Sequence, residues 1–514
     1  MGLVKKVIHP LGELISNEKH SPPLDTYAGK IHVKWEPEAS VTMLGMFGYF
    51  AEFLKLGQRF EPFVEDCPLT YESNNAPTKQ DVLGTLLLSV LSGHNRYAHM
   101  GGLRHDGVNG ELLGMSKIVS DDSARRALCK IDETESRAWL ETHLQASYLP
   151  LLETPWILDL DATIKPIYGH QEGAVIGYNP KKPGRPSHVY QTYLIANLRL
   201  VLDTEVLPGN ENHSQHALPG LMKILSALPK ECRPYLVRGD CDFGNERLMS
   251  ALEAVQQDYL FKLRKSANVK QLISEHHNKS GWKRFKRGWE VKSSTLELLG
   301  WSRHRRVVLV RRRLEGNPVD NVVLEYEQSG QLSLGFIVGP ENMKAYEYSV
   351  LVTSLEEVDN QTLLQHYRDR ADAENYFDEI KNQWGWSGYT TTDLKRCNLM
   401  AKFIALVYNW WTLFVRCYEP SKHTEARTAR PMLLSSVGKL TVTGRQQTLT
   451  ITNTHENAAQ VQSKFTQLGT FFNQIRLTAR QLSAKQVWKR LLEYALRAFS
   501  LKGFSPPILL GFSP

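Results

Sequence analysis

Apolar residues recur every three or four positions through Met43-Leu44-Phe47-Phe50-Phe53-Leu54 and again through Val82-Leu86-Leu87-Val90-Leu91, the period of helices with one buried face. Residues 41 to about 149 are therefore expected to be all helix. Within them Ser120, Asp121 and Asp122 followed by Arg125-Arg126 read as an N-cap, an acidic first turn and a basic helix. That pattern suits the second helix of a helix-turn-helix, and capping alone explains it as well. After Pro155 the period becomes that of strands, over 156–160, 174–178, 190–196 and 199–207. A helix at 217–228 then precedes a strand at 235–237, and a helix at about 245–256 precedes a strand at 259–263. Strands that come first and then alternate with helices predict a mixed α/β sheet.

From Lys265 to about Tyr346 strands resume without helices, at 305–312, 319–326 and 332–338, with turns at Gly316-Asn317-Pro318 and Ser329-Gly330. This predicts an antiparallel β unit inserted into the α/β domain. A strand at 348–353 follows, and a long helix starts near Gln361, capped by Asp359 or Asn360. Beyond Arg416, helical stretches at 456–475 and 479–501 suit packing or subunit contact.

A chain of 514 residues divides into three or four units, and 42% hydrophobic with 23% charged residues is the composition of folded globular protein. The formal net charge is +8, which permits a polyanionic partner. Its distribution says more: between Lys262 and Arg313 stand 16 Lys or Arg against Glu275, Glu290 and Glu297, so this stretch carries +13. A short basic run is ordinarily a solvated face. Over this length, with Trp282, Trp289 and Trp301 interleaved, it points to nucleic acid, because cations neutralise phosphates and aromatic faces stack unpaired bases. The six cysteines are scattered without a C-x-x-C pair, which indicates neither a zinc site nor a disulfide framework and fits a reducing cytosol. The N-terminus lacks an apolar signal core. The most apolar stretch, 403–415, is too short to span a bilayer and contains Asn409, so a soluble protein without membrane contact is expected.

Tyr367, Arg370, Glu374 and Lys381 fall within about 60° of arc on a continuous helix. A solvated polar face has the same spacing. The residue types favour chemistry, since a carboxylate flanked by a guanidinium, an ammonium and a phenol suits a metal held beside phosphates. Asp378 lies on the same face as a competing ligand. The spacing Y-x2-R-x3-E-x6-K resembles the signature of a large group of bacterial insertion-sequence transposases, the Tyr-Arg-Glu-Lys group of the DDE class. Two further segments carry the resemblance: Leu158-Asp159-Leu160-Asp161-Ala162-Thr163 with the glycine-rich stretch to Arg185, and Val237-Arg238-Gly239-Asp240-Cys241-Asp242-Phe243-Gly244. It covers roughly residues 100 to 415.

The resemblance implies a ribonuclease-H-like α/β core interrupted by a β insertion, for which the separation of 134 positions from Asp240 to Glu374 leaves room. It implies that Asp161, in an Asp-x-Thr context, Asp240 and Glu374 are the catalytic, metal-binding carboxylates. Strand alternation puts Asp159 on the same face as Asp161 and does not choose between them; Asp242 shadows Asp240 in the same way. Three such carboxylates would repel by about 3–4 kcal/mol per pair at an effective dielectric of about 20. Hard oxygen ligands select two magnesium ions, with manganese able to substitute.

Tyr367, Arg370 and Lys381 are then expected to hold phosphates, and Lys181, Lys182 and Arg185 to contact the DNA backbone from a loop that is otherwise ordinary surface. One of Trp282, Trp289 and Trp301, residues that are individually more often simply core, is expected to stack on an extruded base. The units become 1–149, binding DNA ends; 150–264 and 348–415, the two parts of the core; 265–347, the basic insertion; and 416–514, a helical region for dimerisation. The activity implied is metal-dependent cleavage at insertion-sequence ends and strand transfer, by cut and paste. The partners are double-stranded DNA, as terminal inverted repeats and target, and a second copy of the chain in the synaptic complex. The location implied is the bacterial cytoplasm, at the nucleoid. A domesticated, non-cleaving DNA-binding protein would keep the basic stretch without needing the acids. A carbohydrate-active hydrolase would use paired carboxylates without needing the +13 segment.

Overall fold

The computed structural model of the protein describes residues 23–498 apart from 212, 287, 314–345 and 390. At the amino end, β1 (Leu24–Thr26) and β2 (Gly29–Ile31) form a small hairpin, and β3 (Val41–Thr42) follows. Helices α1 (Phe47–Leu56), α2 (Phe60–Glu65), α3 (Lys79–Leu91), α4 (Asn109–Leu112), α5 (Asp121–Lys130) and α6 (Glu133–Tyr148) come next. Their sequence spacing explains their packing: Phe47, Phe50 and Phe53 recur at three-residue intervals and are all buried. A capping box between Thr78 and Asp81 starts α3, and the Ser120 hydroxyl accepts the Ser123 amide at the start of α5.

The chain then lays down β4 (Ile157–Pro166), β5 (Val175–Ile176), β6 (Pro186–Ile195) and β7 (Leu200–Pro208). It crosses through α7 (His213–Ala227) to β8 (Leu236–Gly239), and through α8 (Glu246–Ala254) to β9 (Tyr259–Lys262). After α9 (Ala267–His277) come β10 (Lys283–Arg284), β11 (Trp289–Leu296), β12 (Arg305–Arg313) and β13 (Tyr346–Thr353). These ten strands form one mixed sheet in the order β10-β11-β12-β13-β9-β8-β4-β6-β5, with β7 also on β6. The β4/β8 and β8/β9 pairs are parallel and the others antiparallel. Parallel neighbours require a crossover, which α7 and α8 supply.

Helices α10 (Asn360–Arg368), α11 (Asp372–Gln383), α12 (Leu394–Tyr418) and α13 (Ala426–Leu433) follow, then β14 (Val437–Thr443), β15 (Gln446–Thr452), α14 (Ala458–Thr478) and α15 (Ala484–Ala495). Buried along nearly its whole length, α12 joins the two halves of the core. Phe50 meets Trp411 and Phe414 edge-on on one side of it. On the other, Asn409 accepts the Val201 amide at 2.9 Å and donates to the Val201 carbonyl at 2.8 Å. The polar residue inside the apolar run thus docks α12 on β7. Among the described residues no helix is long and apolar enough to cross a membrane.

Four expectations are corrected. The basic segment contains a helix, α9, whose Val269, Leu272 and Ile273 are buried at helical spacing. The strands of that segment are no separate unit: β12 pairs β13 over eight positions and β13 pairs β9, so they extend the main sheet. The terminal regions are not wholly helical, because β14 pairs both β15 and β3. Finally, the continuous helix expected from Gln361 is broken by a 3₁₀ turn at Asp369–Ala371, which winds the backbone more tightly than an α-helix does. The strands expected at 319–326 and 332–338, with their turns, lie outside the described residues.

Candidate active site between β4 and the end of β8

The pairing register of β4 with β8 builds the site. Ile157, Leu158 and Asp159 face Leu236, Val237 and Arg238. Continued by two residues, the same register sets Asp161 beside Asp240, the first residue beyond β8. Asp240 then starts the turn into α8: the Asp242 amide donates to its carboxylate at 2.9 Å, and Asn245 caps the helix by accepting the Leu248 amide.

Asp161 is tied down on several sides. Arg370 donates to its carboxylate at 2.7 Å, and the Ala162 amide donates to its other oxygen at 2.8 Å. Burial pushes the Asp161 carboxyl up to about 6; Arg370 opposes this, and the Asp240 carboxylate adds to it. The Tyr367 phenol feels the same charges. Burial raises it to about 12, Arg370 lowers it and Asp240 raises it, so it stays protonated. Arg370 has a spare donor, since its Nε is buried without a hydrogen-bond partner.

Asp159, the alternative to Asp161, is otherwise engaged. Arg238 donates to its two oxygens at 2.6 and 2.8 Å and also reaches the His366 carbonyl. Asp242 is held by Arg264 at 2.5 Å. Further along β4, Lys381 of α11 donates to the Thr163 hydroxyl at 3.1 Å and the Ile164 carbonyl at 3.3 Å. Burial and then the charge of Lys181 hold its ammonium below the ordinary lysine range. Asp378 accepts from Asn382 at 2.8 Å. Glu374 stands exposed on α11, between the positions of Arg370 and Lys381.

Among the described residues, the ligand atoms that gather within 4.8 Å of one another are those of Asp240, Cys241 and Asp242, and the three carboxylates Asp161, Asp240 and Glu374 do not share that spacing. Burial and then the charges of Asp240 and Asp242 push the Cys241 thiol up, so it stays protonated and offers nothing to a hard cation. Oxygen donors remain, from the partly buried carboxylates of Asp161 and Asp240 that the β4/β8 register sets side by side. That set fits magnesium or manganese.

The basic segment divides in two. Arg305 is 1% exposed and bonded to Glu246 and Glu253, Arg306 holds the Val358 carbonyl and Asn360, and Arg311 pairs with Glu290 at 2.6 Å; these three serve the fold. Lys283, Arg284, Lys286, Arg303, Arg312 and Arg313 are exposed. Each of the three tryptophans is half-buried and lies under an arginine: Trp282 under Arg311, Trp289 under Arg368 and Arg312, Trp301 under Arg305. Lys182 and Arg185 lie over the Tyr168 ring. Sequence reasoning gave Arg238 no role. Its signal was present, because Arg238 stands at the β8 position that register sets against Asp159.

Asp161 within β4 beside Asp240 at the carboxyl end of the parallel strand β8, with an arginine on the first and basic strands in the same sheet, suits a carboxylate enzyme that works on nucleic acid. The chain belongs to the family described as transposase DDE domain group 1, whose model matches residues 54–471. It is a DNA transposase, an enzyme of transposition and recombination from a family that uses divalent metal ions. A cryo-EM structure described as a piggyBac transposase synaptic complex with hairpin DNA matches at a TM-score of 0.36 and 11% identity, over 88% of this chain and 86% of that one; the assignment rests on the family match. No curated protein matches the chain.

Proposed function

We propose that Asp161, Asp240 and Glu374 together hold the metal ions with which this transposase cuts DNA at the terminal inverted repeats of a bacterial insertion sequence and joins the freed end to target DNA, by cut and paste. The observation that carries this reading is the β4/β8 register, which brings Asp161 beside Asp240. The ribonuclease-H-like reading is supported by the placement of the acids: Asp161 within β4, Asp240 just after the neighbouring strand, and Glu374 on a later helix packed along β4. The Tyr-Arg-Glu-Lys reading is supported by Arg370 and Lys381 both reaching β4 and by Tyr367 feeling the charge of both aspartates.

Two magnesium ions, with manganese able to substitute, would activate the attacking oxygen and stabilise the leaving one when bound. The chain supplies the rest. Asp161 and Asp240 offer hard oxygens from a partly desolvated site, where electrostatic interactions are stronger than in water. Arg370, with its unpartnered Nε, is placed to take a phosphate oxygen while keeping its grip on Asp161. Tyr367 brings a neutral donor, and Lys381 a cation. Trp289, which lies under Arg368 of α10, is the tryptophan of the basic segment suited to stack on an extruded base.

Lys181, Lys182 and Arg185 extend the backbone contacts, residues 1–149 bind the element ends, and 416–514 serve dimerisation. Joining two ends requires two active sites, hence a homodimer in the synaptic complex, working at the nucleoid in the cytoplasm. The test is incubation with DNA carrying the terminal repeats, with magnesium and then with EDTA. Nicking at the repeat ends in magnesium alone is expected. Binding without nicking at any metal concentration would leave a non-cleaving DNA-binding protein.

A further inference from the structure

One exposed aromatic surface is left unused by the site described above. Tyr168, Ile176 and Tyr178 are 68%, 63% and 72% exposed, on the loop that leaves β4 and on and just after the edge strand β5. Large apolar side chains seldom cluster in the open without a partner. The base beneath them is firmly built. A Cβ on Gly177 would stand 1.9 Å from the Gly209 carbonyl oxygen, and one on Gly209 would stand 2.3 Å from that of Ser187, so β5 and its flank are packed backbone to backbone. Glu172 anchors the loop, accepting the Leu394 amide at 3.0 Å.

Three cations, Lys181, Lys182 and Arg185, flank this surface, and the carboxylate of its loop, Glu172, is turned to the Leu394 amide. Lys182 ties the two segments together, its amide donating to Asn179 at 3.1 Å and its ammonium reaching the Tyr168 hydroxyl. Arg185 lies 4.8 Å from the centre of the Tyr168 ring, and Lys181 is close enough to Lys381 to depress it. Among the described residues no ion pair joins Lys181, Lys182 or Arg185 to a carboxylate.

We propose that Tyr168 and Tyr178, with Lys181, Lys182 and Arg185 around them, form a stacking platform for an unpaired base of the DNA strand that runs from the cutting point. The proposal rests on the placement of the cutting point at Asp161. Tyr168 stands seven positions beyond Asp161, at most about 23 Å of extended chain, and Lys381 of α11 reaches β4 between them, at Thr163 and Ile164. Exposed phenol rings bind any base through its π-face, while the cations hold the backbone on either side. A duplex keeps its bases stacked inward and offers these rings nothing but its backbone.

The experiment uses the full chain in EDTA, so that cleavage plays no part. Three probes are compared by fluorescence anisotropy: a short mixed-sequence single strand, the same strand made abasic at its central positions, and the corresponding duplex. Wild type is expected to bind the base-bearing strand about 10-fold more tightly than the abasic one, in the range of base–aromatic stacking. Tyr168→Ala combined with Tyr178→Ala should remove that preference and leave duplex binding within about twofold, as befits a lost stacking contact. Tyr168→Phe should keep it, and Lys182→Gln should weaken both single strands equally.

A wild-type protein indifferent to the missing bases, or a double variant that retains the preference, overturns the proposal. So does a double variant that binds every probe normally but sediments as a smaller species, which would assign the face to a second copy of the chain. Because no nicking is measured, these outcomes are independent of whether Asp161, Asp240 and Glu374 form the metal site.

Discussion

Arg238 grips both carboxylate oxygens of Asp159 at 2.6 and 2.8 Å, and each side chain is only 2% exposed. The pair bridges β4 and β8 two residues before the point where the same strands present Asp161 and Asp240. It therefore fixes the register on which the site depends, and it frees Asp161 from competition by its neighbour two positions earlier. Removing one partner leaves a buried charge uncompensated, which costs about 3–5 kcal/mol. Arg238→Ala and Asp159→Ala should each lower the unfolding free energy by about that amount in urea, and the double replacement Asp159→Leu with Arg238→Met should lose less than either. A single variant within about 0.5 kcal/mol of wild type, the scatter of an ordinary surface change, would show the pair to be unimportant.

Asp161→Asn, Asp240→Asn and Glu374→Gln are each expected to lower single-turnover nicking in magnesium by about 10³-fold or more, since several kcal/mol of transition-state charge stabilisation depend on the ions. DNA affinity in EDTA should stay within a few-fold. Glu374 is the sharpest case because it stands exposed on α11 in the free chain: full activity of Glu374→Gln would remove it from the ligand set and turn attention to Asp378.

Lys381→Met should weaken DNA binding uniformly across sequences and reduce the slope of log affinity against log salt by about 1, the signature of one lost phosphate contact. Arg370→Gln should show a similar change in slope together with a fall in the nicking rate, because Arg370 also touches Asp161. An unchanged salt slope for both variants would place the DNA elsewhere.

Arg305 predicts an acid-sensitive stability. Burial works against ionisation of Glu246 and Glu253, but hydrogen bonds from Arg305 override it and hold both carboxyls near about 2, below the value of about 4.3 expected in the unfolded chain. A carboxyl depressed in the folded state contributes stability that is fully present above the unfolded value and is lost as pH falls through the folded one. The urea midpoint should therefore fall between about pH 4.5 and pH 2, and Arg305→Met should be less stable at pH 7 with a flatter profile in that window. Parallel profiles for wild type and variant would mean that the network does not couple to folding.

Much of the fold can be read from local pattern. The strands β6, β7, β8, β9, β12 and β13 lie within a few residues of where alternation places them, β4 runs six residues past its expected end at Leu160 and so includes Asp161, and of the two cap candidates Asp359 and Asn360 the first starts α10. The helix α9 was hidden because its Val269, Leu272 and Ile273 are interrupted by the charges that dominate its segment. Sheet membership was hidden for another reason: the pairing of β13 with β9 joins residues about ninety positions apart, and nothing in either strand names its partner. At the site, residue types and spacing singled out Tyr367, Arg370, Glu374 and Lys381 as one set and the resemblance named Asp161 and Asp240; the structure sets Asp161 beside Asp240 and brings Arg370 and Lys381 to β4. The choice between Asp159 and Asp161 needed Arg238, and the exposed tyrosines beyond β4 went unnoticed because aromatic residues in a strand-rich segment are expected to be core.

The joining of the basic strands to the catalytic sheet has a metric consequence. Hydrogen-bonded neighbours keep a spacing of about 4.8 Å, so β12, four steps from β4 in the strand order, holds its arginines roughly 19 Å from the strand that carries Asp161. That span corresponds to about six base pairs of duplex. On the proposed function, a duplex lying across the strands and gripped by the exposed Arg312 and Arg313 would have its distance from Asp161 set by the sheet itself.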